Sequence, residues 1–167
     1  MKLRLASQDD LEIFMQLHED ASLDQVYIRA PATSKDASNN SPCNERKWLE
    51  VMRYRPEEFE QDLPKKYILM VEHEKKIIGC FRISHISEGK CHLGSWAIAP
   101  KYLEYKEIIW NTFLQFVSAH YKRVKTIEVT IPDFYSSISW FEEHGFANPF
   151  PTCFRLSVRD QKEGSTK

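Results

Sequence analysis

No run of apolar residues is long enough to span a bilayer, so a membrane-crossing helix is not expected. Behind Met1-Lys2-Leu3-Arg4-Leu5 there is none of the apolar stretch of a secretory leader, and no export signal is expected. The four cysteines, Cys43, Cys80, Cys91 and Cys153, are scattered without a Cys-x-x-Cys pair. In a chain with no export signal they read as reduced thiols, and the cytoplasm is the expected location. The six histidines are equally dispersed. No His/Cys cluster has metal-ligand spacing, so no metal is expected. Charge of one sign is lacking too, since 23 basic and 24 acidic residues leave a net charge of -1. That balance gives neither nucleic acid nor an anionic membrane an electrostatic reason to bind.

What is present suits a globular protein: 42% hydrophobic and 28% charged residues. A length of 167 residues fits one core, expected over residues 1–160, with 161–167 as a polar tail. Aromatic residues make up 13% of the chain, which points to a core rich in rings.

Periodicity gives the elements. Lys2 to Ala6 alternates as a short strand. Ser7 or Asp9 caps a helix whose apolar stripe is Leu11, Phe14, Met15 and Leu17. Ala30 to Asn40 has almost nothing to bury and reads as a flexible loop or lid. Ser41-Pro42 starts a helix carrying Trp48, Leu49 and Met52, which stops before Arg55-Pro56. Pro56 to Phe59 begins a further short turn. Tyr67 to His73 and Ile77 to Ile86 form a hairpin about Glu74-Lys75. Gly89 turns the chain into a third strand, Cys91 to Ile98. A helix over Leu103 to His120 is expected to present Ile108, Ile109, Trp110, Phe113, Leu114, Phe116 and Val117 to a sheet. Lys125 to Ile131 is a buried strand. Pro132-Asp133 opens a second helix, Gly145 ends it in the left-handed C-cap position, and Thr152 to Val158 is the last strand. The expected class is α/β (α+β): a mixed, mostly antiparallel sheet with helices on both faces and a parallel pair around residues 91–131.

Four stretches in this order resemble the GNAT superfamily of acetyl-CoA-dependent N-acetyltransferases. They are Leu3 to Ala6 with Asp9-Asp10-Leu11, then Ile77-Ile78-Gly79, then Trp96-Ala97-Ile98-Ala99-Pro100, and last Ile138 to Phe146. The resemblance implies that the two central parallel strands splay, and that acetyl-CoA enters between them as co-substrate. Its pantetheine would bond the backbone of Trp96, Ala97 and Ile98. Its pyrophosphate would sit on the loop and helix start formed by Lys101, Leu103, Glu104, Tyr105 and Lys106, with Asp133 near the place of a cofactor-contacting asparagine. The chain departs from the family there, because Pro100 to Ile108 contains no glycine. Glu104, Lys106 and Ile108 stand where glycines are expected. Glu104 adds an unfavourable charge that Lys101 and Lys106 offset in part.

Acyl transfer to an amine needs a base for the ammonium proton and an acid for the leaving thiolate. By resemblance, Glu128 or His92 is the base. Each also fits a plain strand position, solvent-facing or satisfied. The tyrosine of the family's final helix is replaced by Phe141, beside Trp140, which leaves Tyr135 or water as the acid. The implied function is transfer of an acetyl or similar group to a small-molecule or peptide amine by direct attack. Many relatives pair as dimers, so a homodimer is implied as well. The alternative is a catalytically inactive GNAT-like domain that binds a ligand or protein, favoured by the glycine-free loop and the absent tyrosine. A weaker one is an acyltransferase whose donor is not CoA.

Overall fold

In the computed structural model, residues 1–20, 28–29, 54–130, 138–150 and 153–157 are described. The expected loop at Ala30 to Asn40, the Trp48 helix, the start of the last helix and the tail lie outside them. The elements are β1 (Lys2–Leu5), α1 (Leu11–Asp20), β2 (Ile28–Arg29), α2 (Pro56–Asp62), β3 (Ile68–His73), β4 (Lys76–Ser87) and β5 (Lys90–Ile98). They continue with α3 (Lys106–His120), β6 (Thr126–Thr130), α4 (Ile138–Glu143), β7 (Ala147–Phe150) and β8 (Cys153–Ser157). Short 3-10 turns at Gln8–Asp10 and Pro100–Tyr105 precede α1 and α3.

The sheet runs β1-β3-β4-β5-β6-β8-β7, with β2 added to β5 off that path. Among the described residues only the β5–β6 ladder is parallel, and the other pairings are antiparallel. The mixed class expected from the sequence therefore holds. Three details depart from it. The strands β2 and β7 were not foreseen. The α-helix of α3 begins at Lys106 rather than Leu103, because Pro100 to Tyr105 winds as a 3-10 turn with Tyr102 off helical geometry at φ -117 and ψ 15.

Alternation along the strands divides the core in two. On one face Leu69, Phe81, Ile83, Cys91, Leu93, Ile127 and Val129 meet Ile109, Trp110, Phe113 and Val117 of α3 and Phe141 of α4. Phe81 lies between Trp96 (5.2 Å) and Phe113 (4.2 Å), stacked on both. On the other face Ile68, Met70, Cys80 and Ala97 meet Phe14 and Leu17 of α1, Tyr54, and Phe59 of α2. Burial pushes the Cys91 thiol up to about 12, so it stays a protonated thiol. Among the described residues the buried indole nitrogens of Trp96 and Trp110 find no hydrogen-bond partner, a cost of about 1–3 kcal/mol each that ring packing offsets.

The turns follow from residue type. Ser7 caps the first turn, its N–H and hydroxyl both donating to Asp10 Oδ2, at 2.7 and 3.0 Å. Glu74 and Lys75 both take positive φ, 49° and 64°, as a tight two-residue hairpin turn requires. Gly145, at φ 78°, closes α4. The Phe146 N–H donates to Phe141 O (3.0 Å) and the Gly145 N–H to Glu142 O (3.1 Å), while the Phe146 and Phe141 rings meet edge to face at 5.1 Å.

Candidate active site

Strands β5 and β6 share four rungs, Lys90↔Thr126 through Leu93↔Val129. Strand β5 stays paired with β4 as far as Gly79↔Ile98, whereas β6 carries on with β8, to Thr130↔Cys153. The parallel pair thus parts beyond Leu93 and Val129. The cause is local. Arg82 faces Ser95 and Ile83 faces Leu93, leaving Gly94 as the extra residue of a β-bulge. A Cβ at Gly94 would lie 3.0 Å from Arg82 Nη1 and 3.1 Å from Ser84 Cβ, so a side chain here would have to displace its neighbours by a few tenths of an ångström.

The bulge also exchanges the faces. Before it, Cys91 and Leu93 point into the α3 core, and Lys90 and His92 point to the α1 side. After it, Trp96 and Ile98 point into the α3 core, and Ala97 packs on the α1 side. The backbone edges alternate as well. The Ala99 N–H donates to Ile78 O of β4 at 2.9 Å, and Ala97 O approaches the Cβ position of Gly79 on β4 at 2.9 Å. The N–H groups of Trp96 and Ile98 therefore face the opposite edge, the one β6 has left.

One rung below the opening lies a cluster of charged side chains. Glu128 and His92 are direct partners across the parallel ladder. His92 Nδ1 is 3.2 Å from Glu128 Oε2, and Lys90 Nζ is 3.2 Å from Glu128 Oε1. The Glu128 side chain is 6% exposed, that of His92 27%. Glu128 accepts from the His92 Nδ1–H and from the Lys90 ammonium, which fixes the orientation of the imidazole. That leaves Nε2 as the basic nitrogen. His85 stacks on His92 at 3.8 Å. Deeper on the same face His18, buried, sets Nε2 3.0 Å from Ser95 Oγ and Nδ1 2.9 Å from Phe14 O.

The structure brings Glu128 and His92 together, as neither residue's neighbours in sequence reveal. Lys90 was missed, although its place two residues before His92 puts both on one strand face. His18 and Ser95 were missed because each looks like an ordinary helix or strand residue. Phe141 is fully buried in the core and offers no proton. Tyr135 and Asp133 lie outside the described residues.

At the other end of the opening, Lys101 and Glu104 are exposed, and Leu103 and Tyr105 pack partly on the core. Tyr105 rests on His73, ring centroids 5.1 Å apart. Lys106 opens α3 with its ammonium 4.2 Å above the Trp140 ring, and burial lowers its pKa to about 8. Glu107 accepts from Trp140 Nε1 (2.7 Å) and pairs with His144 Nε2 (2.6 Å), tying α3 to α4. Burial pushes its carboxyl up, but these bonds outweigh that and its pKa is lowered.

This set partly fits an acyl-CoA. The outward-facing N–H groups of this strand edge suit an amide-bearing arm, and Lys101, Lys106 and the α3 N-terminus suit phosphate. Glu104 and the glycine-free turn oppose it. Among the described residues no group of three His, Cys, Asp or Glu side chains is placed to hold a metal ion, and no helix is long and apolar enough to cross a membrane.

No protein-family model and no curated protein matches the sequence. Solved structures do match in shape. A PaiA N-acetyltransferase from Thermoplasma acidophilum, in complex with coenzyme A, superposes with TM-score 0.64 at 15% identity, covering 93% of this chain and 98% of that one. The ribosomal-protein alanine N-acetyltransferase of Escherichia coli gives 0.61 at 13%, covering 94% and 93%. N-acetylglutamate synthase from Neisseria gonorrhoeae, complexed with coenzyme A and N-acetyl-glutamate, gives 0.60 at 12%, covering 94% of this chain and 35% of that one. The fold is that of the GNAT N-acetyltransferases.

Proposed function

We propose that this protein is an N-acetyltransferase that moves an acetyl or similar acyl group from acetyl-CoA to a small-molecule or peptide amine. The observation that carries the reading is the parting of β5 and β6 at Gly94, with a buried Glu128–His92 pair one rung beneath it. Shape similarity to acetyltransferases crystallised with coenzyme A supports it.

In this reading the outward N–H of Ile98, and that of Trp96 when it is available, hold the thioester carbonyl and the charge that grows on its oxygen. Ala97 lies between them with its N–H turned to β4. The amine attacks the carbonyl carbon directly. His92 Nε2 accepts the amine proton, while Glu128 keeps the ring oriented and stabilises the imidazolium. The carbon–sulfur bond breaks, and Tyr135 or water returns a proton to the sulfur. Lys101 and Lys106 face the phosphates with Leu103, Glu104 and Tyr105 lining the turn, and Asp133 contacts the donor.

Glu128→Gln should lower kcat by about 10²-fold while the Kd for acetyl-CoA, measured calorimetrically, changes little. Retention of full rate across pH would remove the role given to Glu128. A second reading has its own support: Phe141 is sealed in the core where an acid is wanted, and Pro100 to Ile108 lacks glycine. That reading is a GNAT-fold domain that binds a ligand or protein without turnover. Binding of acetyl-CoA with no transfer to any amine would favour it.

A further inference from the structure

The edge that β6 leaves is not bare. Ile28 pairs with Trp96 and Arg29 with Ser95, antiparallel. At these same two residues β4 already holds the other edge of β5, through Phe81↔Trp96 and Arg82↔Ser95. Strand β2 therefore occupies the β6 side, inside the opening. Alternation turns the N–H and C=O of Trp96 toward that side, so Ile28 faces Trp96 as a hydrogen-bonded pair. Among the described residues no strand is paired with Ile98 on that side.

The geometry points to β2 as a strap that competes with the acyl donor for the free edge of β5. This inference rests on the donor-binding reading given above. Among the described residues the β2 ladder has two rungs, and so short a ladder offers few backbone bonds and is readily displaced. With β2 in place the ligand reaches Ile98 alone. With β2 displaced it gains Trp96 as well. The apparent affinity is then reduced by the fraction of molecules whose edge is free.

Hydrogen exchange on the wild-type protein with coenzyme A tests this without a variant. The Ile28 amide should exchange faster when coenzyme A is added, while that of Ile98 slows down. A slowing of both overturns the strap. Ile28→Pro removes the donor opposite Trp96, and it should tighten coenzyme A binding by at least about threefold in calorimetry. Binding that is unchanged or weaker in a folded Ile28→Pro protein also overturns the strap, and leaves the donor reading standing. Binding by Ile28→Pro alone supports the strap in its strongest form. Absence of binding in both proteins at millimolar coenzyme A overturns the donor reading, and the strap with it.

Discussion

Asp10 shows how much one side chain can hold. Arg4 donates to both its oxygens at 2.7 Å, and the Ser7 N–H and hydroxyl bind the same carboxylate. The Arg4 hydrogen bonds hold its pKa at about 2, against the ordinary 3.8. A depressed carboxyl pKa stabilises the fold fully above the unfolded value and loses that contribution as pH falls from about 4 through 2. Asp10→Asn should cost about 2 kcal/mol at neutral pH. Melting temperatures of the two proteins should converge as pH is lowered toward 2. At this scale the sequence singled out residues but not their partners. Asp9-Asp10 stood out as a helix-start signal, and Glu128 and His92 as candidate chemistry. Their mutual contact was not visible, because 36 residues separate them and only the parallel register sets them side by side.

Among the elements, two glycines are required for different reasons. Gly145 sits at φ 78° with its nearest neighbour, Leu156 Cδ1, 3.8 Å from where a Cβ would be, so there is room. Gly145→Ala should cost only the left-handed backbone penalty, about 1 kcal/mol. Gly79 has no positive φ, but a Cβ there would meet Ala97 O at 2.9 Å. Gly79→Ala must push β4 from β5, and should cost about 2–3 kcal/mol. Urea unfolding of both variants checks the order, and a larger loss at Gly145 would contradict it. The helix ending at Gly145-Phe146 and the hairpin at Glu74-Lys75 were legible because capping and turns obey short-range rules. Strands β2 and β7 were not. Two and four residues are too few to show a period, and Pro149 inside β7 weakens a strand signal further. The start of α3 was misplaced by three residues, since a 3-10 turn has nearly the same apolar spacing as an α-helix.

Over the whole molecule, the opening lies between two packed layers, and Lys106 joins the α3 start to Trp140 of α4. With its pKa near 8, part of its population is uncharged at that pH. Phosphate brought beside it would favour the ammonium and draw in a proton. Calorimetry of coenzyme A binding at pH 8, in buffers of different ionisation heat, should show proton uptake that Lys106→Met abolishes. Equal uptake in both proteins would remove Lys106 from the site. The sequence by itself determined the element types, the two apolar faces and the family likeness, because hydrophobic period, caps and turn residues act over a few positions. Only the tertiary structure decided where β5 and β6 part, which side chains stand against Glu128, and that Ile28 lies on the edge of Trp96. Each of those depends on register between strands far apart in the chain, and one extra residue at Gly94 moves every side chain beyond it to the opposite face.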